Sequence, residues 1–145
     1  MENTETAGGS RYAAGKVPQI YAPWGGMDEV CRVAAMGAQK YAPFDYLNGQ
    51  SFSTLLNSAM RHLRKAMRSP LARDEESGLL HVGHAVWNLL TLLDFVEQGR
   101  AEEMDDVTPW QGVTAAQRRE IERVASEAGR PVIEVLRERK RMGAV

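Results

Sequence analysis

One cysteine in 145 residues rules out an internal disulfide, which fits a reducing, cytoplasmic setting. That residue, Cys31, falls in an apolar helical pattern and reads as a small core residue rather than a nucleophile. No apolar run approaches the ~18 residues of a membrane span, and no signal-peptide pattern opens the chain. The net charge is −1, so no global field draws the protein to nucleic acid or to a membrane surface. No stretch of useful length alternates with period two, which argues against strands. Several chemical signatures are also missing. There is no GxxxxGK[ST] phosphate loop, no GxGxxG, no CxxC and no His-Asp dipeptide.

What is present is helical. Residues 1–10 are small and polar and are expected to be disordered. Gly15, Pro18, Pro23, Gly25 and Gly26 predict an extended arm over 11–26. Periodicity then predicts helices over 27–41 and 53–68, the second capped by Ser51 or Ser53 and stopped by Pro70. A third, capped by Asp74 or Ser77, runs to about Glu97. Thr114 caps a fourth over 115–128 that ends at Gly129, and Pro131 opens a fifth. The expected organisation is a main helical domain over 11–97, a linker over 98–113 and a C-terminal helical hairpin over 114–145. The class is all-α. The third helix is apolar on more than one face, and a single layer of three main helices cannot cover it. Completion by oligomerisation, as a homodimer or homotetramer, is therefore expected. The competing cover is the hairpin folding back within the same chain.

Charge is uneven along the sequence. No acid lies between Asp45 and Asp74, a stretch holding Arg61, Arg64, Lys65, Arg68 and Arg73. Six acids against Arg100 follow between Asp94 and Asp106. The basic end, Arg137 to Arg141, is diluted by five acids after residue 107, which argues against a nucleic-acid surface.

All three histidines fall between His62 and His84. His81, His84 and Asn88 share one helical face, inside a run of leucines and valines. A polar stripe in a buried helix costs free energy unless each group finds a partner, so the stripe closes a structural network or lines a site. His62 sits at the edge of the second helix's apolar face, turned toward the core. Glu29, His62, Asp74, Glu76, His81 and His84 supply imidazoles and carboxylates on three neighbouring segments. Such donors suit Mg²⁺, Mn²⁺ or Zn²⁺, and the histidines lean toward Mn²⁺ or another transition metal. Lys16, Lys40 and Arg61 are the cations placed to hold phosphate. This is what phosphoanhydride hydrolysis requires. Trp87 is turned ~100° from Asn88 and reads as core or interface rather than a stacking platform.

From Arg11 to about Phe95 the sequence resembles small phage proteins classed as dATP/dGTP diphosphohydrolases, grouped with the all-α MazG-like nucleotide pyrophosphohydrolases. The resemblance rests on Arg11, Gly15-Lys16, Glu29, Gly37-Ala38-Gln39-Lys40-Tyr41, Arg61-His62, Glu76-Ser77-Gly78, His81, His84-Ala85 and Asn88. It implies hydrolysis of a purine deoxynucleoside triphosphate to monophosphate and pyrophosphate with Mg²⁺ or Mn²⁺, adjusting the dNTP pool during phage infection. It also implies a homo-oligomer with the site between helices of neighbouring subunits. Glu29, His62 and Glu76 would be catalytic, and Glu29, Glu76, His81 and His84 would hold metal. Lys16, Lys40, Tyr41, Arg61 and Asn88 would bind substrate. One departure is plain. MazG-like enzymes bind metal through ExxE and ExxD, whereas here Arg32 follows Glu29 by three and the third helix carries His81 and His84. Either imidazole takes the carboxylates' place, or the chain keeps the fold as a nucleotide- or protein-binding module.

Overall fold

The computed structural model describes residues 15–145. The expected disorder over 1–10, and Arg11, lie outside the described residues. Six α-helices follow in order: α1 (Trp24–Lys40), α2 (Phe52–Arg68), α3 (His81–Glu97), α4 (Ala101–Met104), α5 (Ala115–Ala128) and α6 (Val132–Arg141). Short 3₁₀ turns at Gln19–Tyr21, Asp45–Asn48 and Thr108–Trp110 join them. Among the described residues the only β feature is a single antiparallel bridge between Arg73 and Leu80. The all-α class stands.

The first helix begins at Trp24, three residues ahead of the expected start, and runs through Gly25 and Gly26. Pro23 takes the N-cap position, and its carbonyl accepts from the N–H groups of Gly26 and Met27. First-turn amides have no intrahelical partner to lose, so glycine there does not prevent the start. Cys31 is exposed, contrary to its reading as core. The apolar face of α1 is carried by Val30 and Val33, and Cys31 is turned ~100° from Val30.

α3 is the central element, packed on α2 and α1. Gly83 makes the α1 contact close: a Cβ there would lie 3.0 Å from Glu29 Cγ and 3.5 Å from Val33 Cγ2. Phe52 and Leu55 of α2, Phe95 of α3 and Met104 of α4 form one buried cluster. The 98–113 segment thus contributes to the main core. It is also tied by polar contacts. Asp106 accepts from the Ser53 backbone N–H (2.8 Å) and hydroxyl (2.5 Å) at the start of α2, and Arg100 donates to the Leu47 carbonyl (2.8 Å).

The C-terminal hairpin has its own core of Ile121, Ala125, Val135 and Leu136. Thr114 and Gln117 form a reciprocal capping box on α5, and Gly129 ends it in the left-handed region (φ 61°). α6 docks on the segment ahead of α5. Arg137 donates to the Asp105 carbonyl (2.5 Å) and Lys140 to the Gln111 carbonyl (2.9 Å). The outer seam of α3 remains open: Val82, Val86, Leu89, Leu93 and Val96 are each 40–51% exposed.

Candidate functional site

The site is built on the loop between α2 and α3. Pro70 ends α2, and the chain then folds into a tight hairpin. The Asp74 N–H donates to the Leu79 carbonyl (2.8 Å), the Gly78 N–H to the Asp74 carbonyl (2.8 Å) and the His81 N–H to the Ala72 carbonyl (3.0 Å). Gly78 adopts φ 70°, which a side chain would resist. The expected caps, Asp74 and Ser77, do not cap α3; they close this loop on itself. Ser77 donates its backbone N–H to Asp74 Oδ2 (3.0 Å). The N-cap of α3 is Leu80, and its free N–H is satisfied from another helix, by Glu29 Oε1 of α1 (3.0 Å).

The Ser77 hydroxyl contacts Asp74 Oδ2 (3.1 Å), His84 Nε2 (2.7 Å) and the Leu79 N–H (3.2 Å). A hydroxyl has one proton and two lone pairs. With Asp74 ionised, these contacts close one way. Ser77 donates to Asp74 and accepts from Leu79 and from His84 Nε2–H. His84 is then the Nε2–H tautomer with Nδ1 bare.

The three imidazoles assemble as the sequence predicts. His62 stacks on His84 with ring centroids 4.6 Å apart and planes 10° from parallel. His62 Nδ1 lies 2.8 Å from His81 Nδ1, so one nitrogen donates and the other must be unprotonated. His81 and His84 are buried and His62 is partly buried. Burial, with the neighbouring imidazoles, holds His62 below its usual pKa. Burial does the same for His84, against a smaller pull upward from Asp74. Burial pushes the Asp74 carboxyl up, but the Ser77 N–H and hydroxyl outweigh it and leave Asp74 below its ordinary value. The Leu80 N–H, followed by Arg32, lowers Glu29.

His62, Asp74 and His81 each offer one ligand atom, and the three atoms lie within 4.8 Å of one another. Of the four residues expected to hold metal, His81 belongs to this triad. Glu29 is engaged at the α3 N-terminus and with Arg32 (2.9 Å), Glu76 pairs with Lys40 (2.5 Å), and His84 is bound to Ser77. Asn88 donates to the His84 carbonyl (2.8 Å) within its own helix. Arg61 is exposed on α2 beside His62, and Lys16 is exposed in the arm before α1. Tyr41 caps the C-terminus of α1. Sequence reasoning did not single out Gly83; a glycine set between two histidines of a helix was the available signal of close backbone approach.

The family model described as dATP/dGTP diphosphohydrolase, N-terminal, matches residues 6–107. No curated protein and no solved structure matches the chain.

Proposed function

The chain belongs to the dATP/dGTP diphosphohydrolase family, and on that premise we propose that it hydrolyses a purine deoxynucleoside triphosphate to the monophosphate and pyrophosphate, using a divalent cation. The observation that carries this reading is the convergence of His62, Asp74 and His81 beside the Lys40–Glu76 pair. Two imidazole nitrogens and one carboxylate oxygen suit Mn²⁺ or a similar borderline cation better than Mg²⁺, which prefers oxygen. His62, Asp74 and His81 would hold such a cation, which would take the place of the proton shared between the two imidazoles. Such a cation, when bound, neutralises phosphate charge and acidifies water.

The chain's own groups supply the rest. Lys40, Lys16 and Arg61 take the triphosphate's negative charge. A phosphate reaching Lys40 displaces Glu76, whose freed carboxylate accepts the proton of the attacking water. The water oxygen bonds to phosphorus, and the bridging oxygen leaves with pyrophosphate. His84 and Ser77 hold Asp74 in place, and Glu29 fixes the start of α3. In a phage setting the reaction adjusts the purine dNTP pool. The test is incubation of the full chain with each dNTP and Mn²⁺ or Mg²⁺, with products resolved by chromatography. Monophosphate and pyrophosphate from dATP or dGTP are expected. No turnover, or release of single phosphate or of triphosphate, refutes the reading.

The assembly is part of the same proposal. Val82, Val86, Leu89, Leu93 and Val96 follow at spacings of four, three, four and three, a heptad seam. On α2, Met60, Leu63 and Met67 are exposed as well. The hairpin buries its own core and leaves this seam uncovered, so a second copy is its cover. No helix among the described residues is long and apolar enough to cross a membrane. Light scattering tests the assembly: a dimer or tetramer is expected for the parent and a monomer for Leu89→Glu. A monomeric parent refutes it.

A further inference from the structure

Resting on that reading of the substrate as a purine nucleotide, we infer that the cavity between α1, the 41–50 loop and Trp87 holds the base, and that Asp45 selects guanine. The cavity measures about 430 Å³, within the range of small-molecule sites. Its walls are unlike. α1 presents only small residues, among them Ala34, Gly37 and Ala38, which make a smooth surface. Tyr46 and Trp87 also line it, both half-buried and fixed edge-on to each other at 5.5 Å.

The rim carries two further aromatics, Tyr41 and Phe44, 69% and 73% exposed. Phe44 is the one non-glycine among the described residues with positive φ, at 61°. A left-handed phenylalanine costs on the order of 1 kcal/mol or more, and here little burial offsets it. The conformation sets an exposed aromatic ring at the mouth of the cavity.

Beside the hydroxyls of Tyr41 and Tyr46 and the Trp87 indole N–H, the cavity is lined by the polar side chains of Asp45 and Gln50, and Asp45 is its one carboxylate. An apolar slot with an acceptor at its edge suits a flat heterocycle bearing N–H groups. Guanine offers two adjacent donors, N1–H and the 2-amino group, which match the two oxygens of one carboxylate once the exposed Asn48 contact to Asp45 Oδ1 (3.2 Å) gives way. Adenine offers only its amino group, and pyrimidines fill less of the slot. The phosphates have a place to go. Lys40 follows directly on the cavity wall, its Nζ 5.5 Å from the Tyr41 ring, and pairs with Glu76. Trp87 lies three residues beyond His84.

Monophosphates test the cavity without turnover. In the ¹⁵N-labelled full chain without metal, the Trp87 indole N–H is identified by its absence in Trp87→Phe. It is expected to shift on titration with dGMP, less with dAMP, and not with inorganic pyrophosphate. Asp45→Asn is expected to lower the dGMP-over-dAMP preference by about tenfold, the scale of one lost charge-assisted hydrogen bond. A Trp87 signal unmoved at saturating dGMP, or moved equally by pyrophosphate, overturns the assignment even if dNTPs are hydrolysed. An unchanged preference in Asp45→Asn overturns the role of that residue. Selective dGMP binding in a chain that hydrolyses nothing upholds the pocket and removes the hydrolase reading.

Discussion

Glu29 separates two accounts of one carboxylate. Its Oε1 accepts the Leu80 N–H at 3.0 Å, and its Oε2 meets Arg32, whose side chain is largely exposed. The Arg32 pair is a surface contact worth little. The Leu80 contact is different, because it supplies a cap that the N-terminus of α3 otherwise lacks. Glu29→Ala leaves that partly buried N–H without a partner. The cost is about 1–2 kcal/mol, toward the low end for an unsatisfied donor because water can reach part of the site. For a chain of this size that lowers Tm by about 2–8 °C. Glu29→Gln keeps an amide oxygen in the same place and should recover at least half of the loss. Both variants are read by thermal melting, and by hydrogen exchange at Leu80. If Glu29→Ala melts like the parent, or if Glu29→Gln costs as much as Glu29→Ala, the capping argument is wrong. If Glu29→Gln is stable but hydrolyses no dNTP, the carboxylate has a chemical role beyond the cap.

His62 and His84 have folded-state pKa values below the ordinary 6.5, so the unfolded chain binds protons first as pH falls. Their contribution to stability is therefore complete above about pH 7 and declines as pH drops below 6.5 toward their folded values; Tm measured from pH 8 to 5 should fall, and a flat profile contradicts the buried neutral cluster. Mn²⁺ should raise Tm in the parent, EDTA should reverse the rise, and His81→Ala should abolish it; an equal rise in His81→Ala places the cation elsewhere. Ser77→Ala removes the hydroxyl shared by Asp74, His84 and Leu79 and should cost roughly 1–3 kcal/mol in chemical denaturation. Gly49→Ala forces a side chain into φ 100° and sets a Cβ 2.5 Å from Met104 Cε, so urea unfolding should show a loss of about 1–3 kcal/mol.

Much of this was legible in the sequence because it is local. Ser51, Thr114 and Gly129 act where their residue types and positions predict. The meeting of His62 with His81 and His84 followed from two facing amphipathic helices. What escaped is non-local. Nothing within the loop announces that Asp74 and Ser77 bind each other instead of capping α3, because the cap comes from Glu29, 51 residues away in sequence. The start of α1 was hidden by two glycines that periodicity reads as breakers. Met104 and Asp106 looked like linker because an acidic cluster masks one apolar residue bound for the core. The base cavity is formed by residues from three segments, and only folding juxtaposes them.

The two cores share no residue, and this bears on how the molecule comes apart. Helices α5 and α6 can open while α1, α2 and α3 stay closed, giving up the packing of Trp110 and Val113 on the hairpin core and the Arg137 and Lys140 contacts. Unfolding of the chain then has two cooperative units rather than one, and a single melting temperature would average them. Evolution can also treat them separately. The hairpin can be lengthened, exchanged or recruited to a new partner without disturbing the histidine cluster, because no side chain that shapes the cluster comes from beyond Asn88.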